Sequence, residues 1–454
     1  MKKRFIKKTA IVVFWILLWQ IAALLVHNPV YFASPLETLK ELAVQGASAV
    51  FMRSLAGSLL RIVGGFAAAA LAAFITAFIS LRFSFFEELL KPPVSFLKSV
   101  PVAAVVVILL IWWGADHLVL CISFMVVFPN IYENMLMGLK KTDQGLLEMA
   151  DVFGMGTAER FLWIYRSSYR PYLIPAMSVS LGMAFKSGVA AEIIGLPKNS
   201  IGEQLYRDKI YLNTAGVFAW IVTIILISFI TEKLLMFIIK KISLIPAPCP
   251  AHVKSEKPAE SRAAALVAEK LIKCYDDRKI LDTPVRLEEG GVYCLSAPSG
   301  SGKTTLLHIL AGILEPDSGS IEKRNVSMVF QEDRLISCAN ARRNLQLAGC
   351  RGDIEEVLAE VFPKEVLAQP AETLSGGEKR RTEILRALMH PSEILIMDEP
   401  FAGLDEASKK KMTELISLMR DGRTLLISSH DEEDADILKA RRLVLKDGRL
   451  EEKA

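Results

Sequence analysis

The chain has 454 residues, 52% of them apolar, with 54 basic against 50 acidic side chains and a net charge of +4. The apolar share is high for a soluble globular protein and the length suits two or three domains. So small a charge, with no basic run interleaved with aromatic residues beyond the N-terminus, excludes a case for a nucleic-acid partner. The six cysteines are scattered, with no Cys-x-x-Cys pair and no Cys/His cluster, which argues against a disulfide framework or a zinc site and fits a reducing compartment for the second half.

The apolar excess lies before about Leu244. After the basic start Lys2-Lys3-Arg4 and Lys7-Lys8, residues Ala10 to Val26 are nearly all apolar. Further apolar stretches run over Leu59–Leu81, Val100–Trp113, Leu118–Leu139, Leu173–Leu196 and Val217–Ile239, six candidate spans of roughly bilayer-crossing length. With further spans following and no small-residue cleavage site, the first reads as an anchor rather than a cleaved signal. The third is the shortest, and Pro92, Pro93 and Pro101 predict a bent or broken entry into it, which a packed bundle tolerates. An even number of spans puts both ends on one side of the bilayer. The loops on that side carry Arg82, Lys91 and Lys98, then Lys140, Lys141, Arg160, Arg166 and Arg170, and finally Lys240 and Lys241; the opposite loops hold only Lys40, Arg53, Lys198, Arg207 and Lys209. The positive-inside rule therefore places the N-terminus and the whole second half in the cytosol. In the loop between the fourth and fifth spans, acidic Glu148 followed by Phe161, Leu162 and Ile164 suits a short amphipathic helix able to dock on another surface. Lys186 and Glu192 fall within or near the fifth span, where charge is costly, and are expected to line a translocation path.

Residues 245–263, rich in Pro, Ala and charge and without apolar periodicity, read as a tether. Beyond them the strand-like Val292–Ser296 leads into APSGSGKTT and then the helix-compatible run Thr304–Leu314. Strand, glycine-rich turn and helix in that order make a phosphate-binding loop. Ser299, Gly300, Ser301, Gly302, Lys303, Thr304 and Thr305 would hold the phosphates of ATP. The backbone amides and the helix N-terminus would face the oxygens, Lys303 would reach the β- and γ-phosphates, and Thr304 would ligate Mg²⁺. Ala297 stands where the pattern usually begins with glycine. A second apolar strand, Glu393–Met397, delivers Asp398 and Glu399 to its C-terminal end, where open α/β sheets place ligands. Asp398 would hold the metal and Glu399 would polarise the attacking water.

Together with VFQ (Val329–Gln331), LSGGE (Leu374–Glu378), ILIMDEP, GLD (Gly403–Asp405) and SSH (Ser428–His430), these stretches form an ordered set that covers nearly all of Leu271 to His430. That half resembles the nucleotide-binding domain of ATP-binding cassette (ABC) transporters. The resemblance implies a head-to-tail dimer in which Ser375, Gly376, Gly377 and Glu378 meet the ATP bound by the other subunit. It implies that Gln331 senses the metal and the membrane domain, that Asp405 bridges the dimer, and that His430 contacts the γ-phosphate and steadies Glu399. It gives Tyr275 the role of stacking on adenine. Glu378 departs from the family's usual Gln.

The segment Glu148–Ala176 resembles the cytoplasmic coupling loop of binding-protein-dependent importer permeases, with Glu148, Ala150, Gly154, Phe161 and Ile164 at matching spacings. Met149 and Ser167 replace the family's more usual residues. With AFKSGVAAEIIGLPKNSIGEQLY downstream, the likeness to nitrate/sulfonate/taurine-type importers covers about Ser54 to Lys241. The expected architecture is an all-α, six-helix transmembrane permease of type I importer kind (1–244), a linker (245–263) and an α/β P-loop NTPase cassette (264–454). The expected activity is ATP-driven import, by a homodimer in the cell's inner membrane, of a small polar or anionic solute handed over by a separate extracellular or periplasmic binding protein. An exporter of the same motor class, and a membrane sensor that binds ATP without pumping, are the alternatives.

Overall fold

A computed structural model describes residues 2–244, 265–275, 278–298 and 300–453; the expected linker, 245–263, and Ser299 lie outside them. Residues up to Lys141 and from Ser168 to Leu244 form one unit, and Thr142–Ser167 packs with the C-terminal residues as the other.

The first unit is built from helices α1 (Lys2–Val26), α2 (Pro35–Gly46), α3 (Ala49–Arg82), α4 (Ser84–Ser99) and α5 (Val102–Lys140). The loop pieces α6 (Gln144–Val152) and α7 (Thr157–Glu159) and a π-helical turn (Arg160–Tyr165) follow, and then α8 (Arg166–Gly195), α9 (Ile201–Ile210) and α10 (Thr214–Leu244) complete it. Local chemistry sets several starts. Ser34 caps α2 in a reciprocal box with Glu37, and Pro35 opens the first turn. Ser48 caps α3. The buried stripe of α3 is small, with Ser58, Gly65, Ala69, Ala73 and Ala77 one or two turns apart. A Cβ on Gly65 would stand 2.5 Å from the Leu120 carbonyl oxygen, so small residues here let two helix backbones close on each other where lipid gives no hydrophobic drive.

Five helices are long and apolar enough to cross a membrane among the described residues, where the sequence reading expected six single spans. The third expected span is the difference. Val102–Trp113 is an arm of about 18 Å, too short for a hydrocarbon core of about 30 Å. It folds back at Gly114 (φ 70°, ψ −177°) onto the rest of α5. Val106 and Leu109 pack with Leu118 and Ile122 across that bend. Below the arm, Glu87 of α4 pairs with Lys140 at 2.7 Å, and Lys98 with Glu133 at 2.8 Å. The chain thus climbs alongside the long limb of α5 in two pieces, α4 and then the arm, broken at Pro101.

In the second unit, β1 (Leu266–Tyr275) and β2 (Arg278–Leu287) form an antiparallel pair. A six-stranded sheet has the order β4-β5-β6-β3-β7-β8, with β3 (Val292–Ser296), β4 (Val326–Val329), β5 (Ile394–Asp398), β6 (Thr424–Ser428), β7 (Arg441–Lys446) and β8 (Arg449–Lys453). All neighbours are parallel except the β7–β8 edge. Strands β4, β5 and β6 are buried along their whole length, which is why they read as unbroken apolar runs. Around the sheet lie α11 (Lys303–Leu310), α12 (Ala341–Leu347), α13 (Ile354–Val361), α14 (Lys364–Leu367), α15 (Gly376–Met389), α16 (Glu406–Met419) and α17 (Glu432–Ile437). Parallel order brings the C-terminal ends of β3, β5 and β6 to one edge, the position for a ligand in an open α/β sheet.

Candidate functional site: a nucleotide cavity and a docked loop

At that edge a cavity of about 350 Å³ is lined by the loop after β3, by Glu399 just past β5, and by Gln331, His430 and Tyr275. Gly302 is the pivot of its floor. Its φ of 93° starts α11 in a left-handed conformation, and a Cβ there would lie 2.7 Å from Ile280, so only glycine turns the chain into the helix at that point. Gly300, Lys303, Thr304 and Thr305 line the same wall. Tyr275, 48% exposed, belongs to the cavity with its ring available for stacking.

The acids are held by a residue whose role the sequence reading did not assign. Ser428, at the end of β6, donates its hydroxyl to Asp398 Oδ1 at 2.5 Å and accepts the Glu399 amide at 3.0 Å. The only signal for it was its place beside His430 in SSH. Glu399 takes a left-handed φ of 49°, a cost of about 1 kcal/mol or more that functional sites tolerate. Its carboxylate meets Lys303 Nζ at 2.5 Å and His430 Nε2 at 3.0 Å, and Lys303 stands 3.7 Å from Asp398. Burial raises the Glu399 carboxyl, but the Lys303 hydrogen bond and charge, with His430, bring it below its ordinary value. The Lys303 ammonium is thus neutralised by the Glu399 carboxylate.

A magnesium ion fits the donor set. Asp398 Oδ2 is buried with no partner, and Thr304 and Gln331 add neutral oxygen donors in the same cavity. One carboxylate with hydroxyl and amide oxygens beside phosphates suits a hard cation that keeps much of its water.

The loop between α5 and α8 shares the hydrophobic core of the sheet unit. Met149, Ala150, Phe153, Met155, Trp163 and Ile164 are buried in it. Asp143 caps α6 by accepting the Gly145 amide. Gly154 turns the chain with φ 61°, and Arg160 staples the turn by donating to the Ala150 and Met155 carbonyls. Glu148 pairs at 2.7 Å with Arg334, which lies 3.9 Å over the Phe330 ring. Phe153 receives Arg386 at 4.8 Å and meets the edge of His390 at 5.1 Å. Behind this seat, α15 presents three buried charges. Arg380 donates to the Phe330 and Gln331 carbonyls, Glu383 accepts the Arg334 amide, and Arg386 donates to the Arg334 carbonyl. The segment that carries Gln331 and Arg334 is therefore clamped by the helix that begins at Gly376.

Two family models match the chain. The ABC transporter model covers residues 281–402, and the model of the binding-protein-dependent transport system inner membrane component covers residues 65–243. The aliphatic sulfonates import ATP-binding protein of Rhodococcus jostii is 36% identical over 187 residues, 38% of this chain and 76% of that protein. The thiamine import ATP-binding protein of Escherichia coli is 34% identical over 187 residues, 36% of this chain and 81% of that protein. A solved dimeric bacterial ABC transporter cassette is 25% identical with a TM-score of 0.38, covering 41% of this chain and 96% of the other.

The chain belongs to the ABC transporters. It fuses an importer-type permease to its ATPase, a multi-pass membrane protein that couples ATP hydrolysis to transport.

Within one copy of this transporter the expected site residues fall into four groups. Gly300, Gly302, Lys303, Thr304, Thr305, Gln331, Glu399, His430 and Tyr275 come together around the nucleotide cavity, and Ser301 and Asp398 sit in its loop and its strand end. Ser375, Gly376, Gly377, Glu378 and Asp405 do not line it. Ser375 and Glu378 form a capping box at the start of α15, and Asp405 caps α16. In the α5–α8 loop, Glu148, Ala150 and Ile164 face the ATPase core, Gly154 makes the turn, and Phe161 is half-buried outside that cluster. In the permease, Glu192 is fully buried, accepting from the Ser58 hydroxyl at 2.7 Å and the Gly202 amide at 3.1 Å. It locks α3, α8 and α9 together and lines no path within the single copy, contrary to the expectation for it. Lys186 is exposed.

Proposed function

We propose that two copies of this chain form an importer that takes a small polar or anionic solute from a separate binding protein and drives it inward with ATP. One observation supports this most: the loop joining two permease helices is seated on the ATPase core beside Gln331, through Glu148–Arg334 and Phe153–Arg386. A loop so seated can feel the nucleotide and move the helices that it joins.

On this reading ATP arrives with its phosphates against the Gly302–Thr305 amides, and the γ-phosphate draws Lys303 away from Glu399. The freed carboxylate orients the attacking water, steadied by His430 at 3.0 Å. Asp398, Thr304 and Gln331 would hold Mg²⁺, which neutralises charge on the β- and γ-phosphates. The nucleotide is completed on its open side by Ser375, Gly376 and Gly377 of the second copy, whose helix N-terminus favours an anion. Asp405 would meet the partner at the same seam. As the γ-phosphate pulls on Gln331, the clamped Gln331–Arg334 segment shifts and takes Glu148 and its loop with it. Hydrolysis reverses the pull, an order of events in keeping with two-state switching.

The basic residues at the end of α3, in α4, in the α5–α8 segment and at the end of α10 support an ATPase on the cytosolic side of the inner membrane. Counting α4 with its arm as one crossing preserves the even number this requires. The two relatives named above bear cargo names of opposite charge, a sulfonate and thiamine, so kinship alone leaves the charge of the solute open.

Small-molecule pools in cells making the wild type or Glu399→Gln, each with candidate binding proteins, test the reading. A solute enriched only with the wild type supports import and names the cargo. A solute depleted only with the wild type means export. Equal background ATPase in both purified proteins means a sensor that does not pump.

A further inference from the structure

Helix α8 leaves one narrow stripe uncovered by its own chain. Pro175, Val179, Met183, Lys186, Ala190 and Ile193 recur at three- and four-residue steps and are exposed, while Ala184, Phe185, Val189, Ala191 and Glu192 on the other side are buried. The stripe is apolar but for Lys186. That lysine has no acidic or hydrogen-bonding partner among the described residues, whereas Glu192 is held by Ser58 and Gly202, and Glu232 of α10 accepts from Ser178 at 2.7 Å. Lys186 lies nine residues from the end of α8, about 14 Å along the axis, close to the middle of a hydrocarbon core of about 30 Å. From there a lysine stem does not reach the headgroups. An ammonium at that depth is costly against lipid and belongs against a water-filled cavity.

The nucleotide cavity lacks the Ser375–Glu378 motif within one copy, so the transporter needs a second. Placing the stripe at the two-fold interface gives Lys186 the water-filled surroundings that lipid denies it, and the axis then repeats the stripe on both sides. Two stripes facing each other bring two ammonium groups to one depth. Like charges there repel unless water and a negative charge stand between them.

We propose that Lys186 of each copy lines a water-filled path between the permeases and that the transported solute is an anion. This rests on the homodimeric import reading and adds the sign of the cargo's charge. A cationic solute such as thiamine is excluded by it; a sulfonate, carboxylate or other small anion fits.

The test needs no knowledge of the cargo. A cysteine is placed one turn from Lys186 on the same stripe, as Met183→Cys, in the full-length protein in nanodiscs during ATP turnover. Its peptide is followed by mass spectrometry with two methanethiosulfonate reagents of similar size, one bearing a sulfonate and one a quaternary ammonium. The ratio of the two rates cancels any effect of Lys186 on the thiol itself. We expect labelling, and a preference for the anionic reagent that falls roughly tenfold with Lys186→Gln and returns with Lys186→Arg. No labelling at residue 183, while a loop cysteine placed as Lys198→Cys reacts, means that the stripe faces lipid and overturns the proposal. Labelling with an unchanged ratio overturns the anionic cargo. Should Lys186→Gln not turn over ATP, salt decides: a preference set by Lys186 shrinks as ionic strength rises, and one that stays constant refutes it. The direction of transport does not enter this readout, so a failure of the import reading in the uptake experiment remains a separate result.

Discussion

Cutting the Glu148–Arg334 pair separates ATP hydrolysis from transport. The Arg334 and Glu148 side chains are 12% and 23% exposed and 2.7 Å apart. A charge-assisted hydrogen bond between well-desolvated partners contributes about 1.5–3 kcal/mol. Residual solvent screening brings the expectation to the lower end, about 1.5 kcal/mol, or roughly a tenfold change in any equilibrium that depends on it. The variants are Glu148→Ala, Arg334→Met (which keeps an apolar stem over Phe330) and the two combined. Neither residue lines the nucleotide cavity, so basal ATPase should stay within about threefold of the wild type. Uptake per ATP hydrolysed should fall about tenfold in each single variant. The double variant should be no worse than either, because the second change removes a partner already lost. Uptake of the solute identified by the pool comparison, measured beside phosphate release in the same vesicles, reads both quantities. Losses that multiply to about a hundredfold in the double variant would refute a direct pair. ATPase falling in step with uptake would refute its role in coupling.

Three further outcomes follow from the ATPase unit. Ser428→Ala removes the hydroxyl that positions Asp398 and the Glu399 amide, and should lower kcat for ATP about tenfold to a hundredfold while nucleotide binding changes little. Tyr275→Ala should raise KM for ATP about tenfold with kcat nearly unchanged, the mark of lost ground-state binding; a fall in kcat alone would remove the ring from the adenine site. Burial, with Arg423 and other basic neighbours nearby, holds His390 down at about 4 against an ordinary 6.5, although its hydrogen bond to the Ala348 carbonyl pulls the other way. Between those values the unfolded chain binds the proton that the folded one refuses, so stability rises with pH across that window. Acidification from pH 7 to 4 should cost the wild type up to about 3 kcal/mol through this group. His390→Gln should show a flatter fall in Tm over the same range, and an identical fall in both proteins would remove His390 as the cause.

Much of this transporter was legible from residue order. Short apolar runs such as ILIMD and TLLIS suit buried strands, and the phosphate loop follows such a strand and opens a helix. Most residues of the nucleotide motifs line one cavity, because each motif is local and its geometry is set within a few bonds. The turn and buried face of the α5–α8 loop were legible in outline, since Glu148 and the turn at Gly154 sit in a short contiguous pattern. Tertiary structure alone decided the rest. The expected third span became α4 plus a folded arm because hydropathy records apolar length and not the turn at Gly114, and the ladder from Glu87–Lys140 to Val106–Ile122 exists only once the pieces lie side by side. Ser428, Arg334, Arg380, Glu383 and Arg386 gained their roles from partners dozens of residues away, which no local pattern encodes. Lys186 and Glu192 looked alike as charges in one apolar stretch. Six residues apart on a helix, they point to different sides, and what packs against each side made one a buried lock and left the other on the uncovered stripe.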